Sequence, residues 1–272
     1  MKHIKVEIIA NENQQEELIA LFDDYNATGF EQTDEKLIAY FDEEGYKKTE
    51  IEKVVEGYSF ELSEVEEKNW NEEWEKNFQP VVVEDFVAVR AHFHAPVSGI
   101  QYEIVITPKM SFGTGHHATT FMMMQQMREI DFRNKTVFDF GTGTGILAIL
   151  AEKLGAEKIT AIDVDDWSIE NAKENFERNN CSKTAVSLSS QIPAGQFDIF
   201  LANINRNVIL DYIPQIVKAL RRNAFILFSG LLVADENDIR EAAERHGLLF
   251  TNRKERLGWL SLLFVNQQGS ES

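Results

Sequence analysis

The sequence has a single cysteine, Cys181, in 272 residues. It can form no intramolecular disulfide and no cysteine-based zinc module. No stretch approaches the ~18–20 apolar residues of a membrane span. The opening MKHIKVEIIANEN has neither an apolar signal core nor a small-residue cleavage site. A cytoplasmic protein with no membrane partner is expected. Basic residues are also short, 27 against 45 acidic, for a formal charge of −18. The deficit is uneven. Residues 1–78 hold 22 acidic and 8 basic residues, a balance of −14, and residues 79–272 hold 23 and 19, a balance of −4. Such a surface repels phosphate backbones, which argues against direct nucleic-acid binding and for a basic partner. What remains is ordinary globular composition, 43% hydrophobic and 26% charged, at a length that suits one large domain or two unequal ones.

The hydrophobic pattern divides the chain. In residues 4–62 the order is strand (Ile4, Val6, Ile8), helix (Leu18, Leu21, Phe22, Tyr25), a hairpin around Asp34-Glu35, helix (Ile51, Val54, Val55) and strand (Tyr58–Leu62). That order predicts a ferredoxin-like α+β domain over residues 1–62. Ser63 with Glu66 fits a capping box, and Trp70, Trp74 and Phe78 recur every four residues, so residues 63–80 are expected to be a linker helix ending at Pro80. Its aromatic stripe is expected to pack against a flanking domain. Residues 81–272 open with three short strands and then alternate strand and helix, which predicts a doubly wound, mostly parallel sheet. The last two strands are joined only by Leu257-Gly258 and must be antiparallel. The expected fold is α/β, a Rossmann-like sheet with an antiparallel last strand, of the methyltransferase variety.

Three strand ends carry the chemistry. The strand Val137–Phe140 runs into Gly141-Thr142-Gly143-Thr144-Gly145 and then an amphipathic helix. Such glycines let the backbone turn sharply and approach a ligand, and ligands of these sheets bind beyond the carboxyl ends of the strands. Asp163 ends the next strand, 22 residues after Gly141, where a carboxylate can accept ribose hydroxyls. Asp139 precedes the glycines. A carboxylate there suits a cationic ligand, such as S-adenosylmethionine, better than a pyrophosphate. Asn203 ends a later strand, where its amide can accept a hydrogen bond from an amine but cannot act as a general base. A second glycine-rich stretch, Met110–Thr120, leads into a helix with Met122–Met124 and Met127. It is a candidate loop over the site, and its methionines read as core filler. The adjacent His116-His117 lack a nearby Cys or Glu to complete a ligand set, so no metal is expected.

The run FGTGHHATT within Met110–Thr120, followed by DFGTGTGILAI, AIDVD and LANIN, resembles the bacterial ribosomal protein L11 methyltransferases, as does the NWNEEWEKNFQPV connection. The resemblance covers nearly the whole chain. It implies a class I methyltransferase domain using S-adenosylmethionine, with Thr120, Gly141, Asp163 and Asn203 at the positions of the family's cofactor contacts; Gly143 joins them as part of the same loop. It further implies ribosomal protein L11 as the partner, methylation of lysine ε-amines and the α-amine, and a substrate-recognition role for the small N-terminal domain; from its amide chemistry, Asn203 is also expected to position the amine. A monomer is expected. The chain departs from the family pattern at Thr107-Pro108-Lys109, where Asp-Pro-Gly is usual, and at Asn205-Arg206-Asn207. A class I methyltransferase acting on another protein or a small molecule, and a cofactor-binding interaction protein without activity, are the alternatives; the G-x-G-x-G spacing and Asp139 argue against a nicotinamide oxidoreductase.

Overall fold

Strand alternation builds the first unit. In β1 (Lys2–Ile9) Val6 and Ile8 are buried, and in β3 (Lys36–Asp42) Leu37, Ala39 and Phe41 are buried. These side chains meet Leu18 and Phe22 of α1 (Glu12–Asp23) and Ile51 of α2 (Lys48–Val54) in one core. Asn11 and Gln14 start α1 with a reciprocal capping box: each side-chain oxygen accepts the other residue's backbone N–H, at 3.1 and 3.0 Å. With β2 (Gly29–Gln32) and β4 (Phe60–Glu66) the sheet order is β2-β3-β1-β4, antiparallel throughout. Together with the order β-α-β-β-α-β this is the ferredoxin-like arrangement.

The structure is a computed structural model, and it describes residues 2–23, 25–33, 35–42, 46–66, 79–107 and 117–268. The chain divides into two units between Asn77 and Phe78. One expectation is corrected here. Ser63 does not cap a helix. It lies in β4, opposite Lys5, and the strand runs on to Glu66, opposite Lys2. β1 offers ladder partners along its whole length, and this non-local pairing overrides the local Ser-x-x-Glu signal. The rest of the expected linker helix up to Phe78, with Trp70 and Trp74, lies outside the described residues, as do Asp34 of the expected hairpin and Pro108–His116.

The second unit opens with a small sheet, β5 (Val81–Val83), β6 (Val87–Ala91) and β7 (Tyr102–Ile106), in which β5 and β6 are antiparallel and β6 and β7 parallel. Next comes α3 (Ala118–Met127), whose four methionines are all buried. The main sheet comprises β8 (Thr136–Phe140), β9 (Lys158–Asp163), β10 (Thr184–Leu188), β11 (Phe197–Asn203), β12 (Leu220–Leu232), β13 (Leu248–Arg256) and β14 (Trp259–Asn266). Its order is β10-β9-β8-β11-β12-β14-β13, with β14 antiparallel to both neighbours. β12 is longer than the expected Phe225–Ser229: Leu220 pairs with Phe197 of β11 ahead of a register shift, and β14 carries the pairing on to Leu232.

Helices cover both faces. Val137, Ile159, Ile199 and Leu227 pack with α3, α4 (Ile146–Lys153) and α5 (Asp166–Arg178) on one side. Phe138, Phe200, Ile226 and Phe264 pack with α6 (Arg206–Lys218) and α7 (Glu236–Arg245) on the other. Being covered on both faces, the central strands are near-continuously apolar. No described helix is long and apolar enough to cross a membrane. The chain runs outward from β8 to β10 and then returns to β11 on the other side of β8. That reversal creates a crevice at the carboxyl ends of β8 and β11, where open α/β sheets bind ligands.

Candidate active site

β8 delivers its backbone into the crevice through three left-handed glycines, Gly141 (φ 74°), Gly143 (φ 54°) and Gly145 (φ 81°). Two of them are also required by packing. A Cβ on Gly141 would lie 2.5 Å from Cγ2 of Ile204, and one on Gly145 would lie 2.6 Å from the Phe176 ring. The loop is tied to the end of β9. The amides of Gly141 and Thr142 both donate to the Ile162 carbonyl, at 2.9 and 3.0 Å. The amide of Gly143 donates to Asp163 Oδ2 at 2.8 Å. Asp163 Oδ1 accepts from the amides of Val164 and Asp165, at 2.8 and 3.2 Å. Three backbone donors thus lock this carboxylate, and on a count of four acceptor positions one remains, on Oδ2.

Asp139 lies beneath the loop and is 1% exposed. Its Oδ2 accepts the Thr142 hydroxyl at 2.6 Å, and its Oδ1 has no hydrogen-bond partner of normal geometry. Burial pushes its pKa up to about 7; the Asp163 charge adds to the rise, and the Thr142 hydroxyl and the Ala148 amide oppose it. A buried carboxylate with an orphaned oxygen fits a site made for a cation.

Two cavities meet at the glycine loop. The larger, about 870 Å³, is lined by Gly141, Gly143, Asp163, Trp167, Asn171 and Tyr212 among others. The smaller, about 260 Å³, is lined by His117, Thr120, Gly141, Gly143, Asn203 and Trp259 among others. Asn203, at the end of β11, donates from Nδ2 to the Thr120 hydroxyl of α3 at 3.2 Å. The structure therefore brings all five expected residues to one place: Asp163 on one side of the loop, Thr120 and Asn203 on the other, with Gly141 and Gly143 between.

Sequence reasoning missed the wall formed by His117 and Trp259. Their rings stack edge to face with centroids 4.6 Å apart, and His117 also caps α3, its Nδ1 lying 2.7 Å from the Thr119 hydroxyl. Trp259 opens β14, and no linear pattern links it to residue 117. The departure at Asn205–Asn207 also has a local reason. Asn205 Oδ1 caps α6 by accepting the Val208 amide at 3.1 Å, and Arg206 pairs with Asp235 and Asp238.

A seven-stranded sheet of this order, with a glycine loop at its switch point and an acid at the end of the neighbouring strand, defines a class I methyltransferase. The family model for "Ribosomal protein L11 methyltransferase (PrmA)" matches residues 2–267. The ribosomal protein L11 methyltransferase of Phocaeicola vulgatus is 35% identical over 97% of this chain and 99% of its own length. That of Chlorobaculum tepidum is 37% identical over 96% of each. A crystal structure of the ribosomal protein L11 methylase of Lactobacillus delbrueckii subsp. bulgaricus aligns with TM-score 0.64 and 29% identity, covering 70% of this chain and 99% of that one. The chain belongs to the ribosomal protein L11 methyltransferase family, and S-adenosylmethionine is its methyl donor.

Proposed function

We propose that this chain transfers methyl groups from S-adenosylmethionine to amines of ribosomal protein L11, both lysine ε-amines and the α-amine. The observation that carries the reading is the character of the two cavities. The larger has a fixed carboxylate with one open acceptor position. Among the described residues, the smaller is lined by no Asp, Glu, Lys or Arg. A lysine amine has to be neutral to attack, yet its ordinary pKa is ~10.4. A cavity without a carboxylate gives the ammonium no counter-charge, so it favours the neutral form.

In this reading Gly141, Gly143 and Asp163 hold the adenosine end of the methyl donor in the larger cavity. Asp139 supplies negative charge beneath the loop, one hydrogen bond from Thr142 of the smaller cavity. S-adenosylmethionine supplies an electrophilic methyl group when bound. Thr120 engages the Asn203 amide nitrogen, so the amide oxygen is left to accept an N–H of the incoming amine and orient its lone pair. His117 and Trp259 wall the cavity and keep water out. Most of the acceleration in such a reaction comes from alignment rather than from acid–base groups. Residues 1–62 form the recognition domain for the basic substrate, and the following segment to residue 80 is the connection.

Incubation with methyl-labelled S-adenosylmethionine and purified L11, followed by mass spectrometry, tests the reading. Label is expected on lysine and α-amines of L11. An enzyme that binds the cofactor yet leaves L11 unlabelled would overturn the assignment.

A further inference from the structure

Helix α5 carries Asn171 and Asn175, with Asn179 as its C-cap, every fourth residue and therefore on one face. Asparagine is a poor helix former, and a buried amide is costly unless bonded. Asn171 and Asn175 are nonetheless fully buried. Their bonds explain the cost. Asn175 Nδ2 donates to the Thr144 carbonyl at 2.8 Å and to Asn171 Oδ1 at 3.1 Å. Asn175 Oδ1 accepts the amide of Thr107 at 2.8 Å. One side chain therefore joins the glycine loop, the wall of the larger cavity through Asn171, and the residue that follows β7. Neighbours on the same helix reinforce the last link. The Thr107 hydroxyl donates to Glu174 at 2.7 Å and accepts from Arg178 Nε at 2.6 Å. Asn179 does a similar job further along. Its Oδ1 accepts the Val105 amide at 3.0 Å and its Nδ2 donates to the Val105 carbonyl at 2.7 Å, but it makes no bond to the glycine loop.

Past Thr142, two further bonds hold the loop. Asp163 fixes it at the Gly143 amide, and Asn175 fixes it at the Thr144 carbonyl, between the two left-handed turns of Gly143 and Gly145. We propose that Asn175 is a positioning residue for S-adenosylmethionine: it sets the shape of the glycine loop against β7, and the cofactor reads that shape. The proposal rests on the reading that this loop holds the cofactor. It also gives Thr107 a role, since a side chain that both donates and accepts suits its place between Glu174 and Arg178.

The test pairs two variants. Asn175→Ala and Asn179→Ala each remove bonds between α5 and the β7 segment, and both should lower Tm. Only Asn175→Ala removes a bond to the Thr144 carbonyl. With both proteins folded, calorimetry should show cofactor Kd about tenfold weaker in Asn175→Ala and unchanged in Asn179→Ala, with KM for L11 unchanged in both. Equal Kd in the two variants, whether both unchanged or both weakened, would overturn the proposal by leaving Asn175 a structural residue only. Should Asn175→Ala fail to fold, Asn175→Ser carries the same comparison. Asp163→Ala separates the two levels. If it too leaves Kd unchanged, the site reading fails; if it weakens Kd while Asn175→Ala does not, only the present proposal fails.

Discussion

At the scale of single residues, Asp139 and Asn203 make opposite kinds of contribution. The Asp139 carboxyl, with a folded-state pKa of about 7 against an ordinary 3.8, holds its proton more tightly folded than unfolded. Its contribution to stability is therefore full below about pH 4 and is lost as pH rises through 7. Without cofactor, stability should decline across that window, and Asp139→Asn should remove this part of the slope; Tm against pH in both proteins reads it out. A cationic ligand favours the ionised form, so cofactor affinity should rise with pH over the same range in the wild type and flatten in Asp139→Asn. Asn203 has no proton to exchange. If it orients the amine, Asn203→Ala should lower kcat by more than it weakens cofactor binding. A parallel loss of both would make it a cofactor contact alone. The positions of Asp163 and Asn203 were legible because each ends a run of apolar strand residues, and that of Asp139 because it interrupts such a run just before the glycines. The crowding of Gly141 by Ile204 and of Gly145 by Phe176 was not, since it depends on how β11 and α5 pack. Nor was the pairing of His117 with Trp259, which only the folded sheet brings together.

At the scale of elements, the β13–β14 turn breaks two local preferences. Leu257 is in the left-handed region (φ 52°) and Gly258 follows it (φ 80°), the two-residue turn in which Asn-Gly is favoured. Leu257 is also 84% exposed, so its side chain recovers little by packing. Leu257→Asn should stabilise the protein by about 0.5–1 kcal/mol, seen as a rise in Tm of roughly 1–3 °C. No change would mean that the leucine packs better in solution than its exposure indicates. Gly230 is the contrasting case. It also has positive φ, but a Cβ there would lie 2.3 Å from the Ile204 carbonyl oxygen, so no side chain fits. Most elements were legible from periodicity alone, including the Leu257-Gly258 connection. β4 was not, because Ser63-x-x-Glu66 is as good a helix start as a strand continuation until the register with β1 is known. β12 was read too short for the same reason. Leu220 joins the strand only through its pairing with Phe197 of β11, and Leu231 and Leu232 through theirs with β14.

At the scale of the whole molecule, charge is the organising fact. Of the eight basic residues in residues 1–78, Lys5 and Lys36 both pair with Glu7, at 2.9 and 2.6 Å, and hold its pKa down to about 2. Two cations spent on one carboxylate leave fewer to balance the others. If the N-terminal unit recognises a basic protein, its removal should abolish L11 methylation and spare cofactor binding. Raising the salt should slow association more than it slows dissociation. Free L11 should be a better substrate than L11 on the assembled ribosome, where RNA phosphates oppose the acidic surface. Full activity after deletion of residues 1–62 would return the acidity to a role in solubility.

The two described tryptophans divide between the two cavities. Trp167, 74% exposed, lines the larger, and Trp259, stacked on His117, lines the smaller. Each half of the site therefore contains its own fluorophore. An open indole emits at long wavelength and is quenched by iodide, whereas an indole against an imidazole is quenched from within and shielded from outside. In a protein with Trp70 and Trp74 replaced by phenylalanine, cofactor should protect the iodide-sensitive fraction of the emission. A lysine peptide should instead alter the shielded fraction, so that the two binding events can be timed separately in one stopped-flow trace.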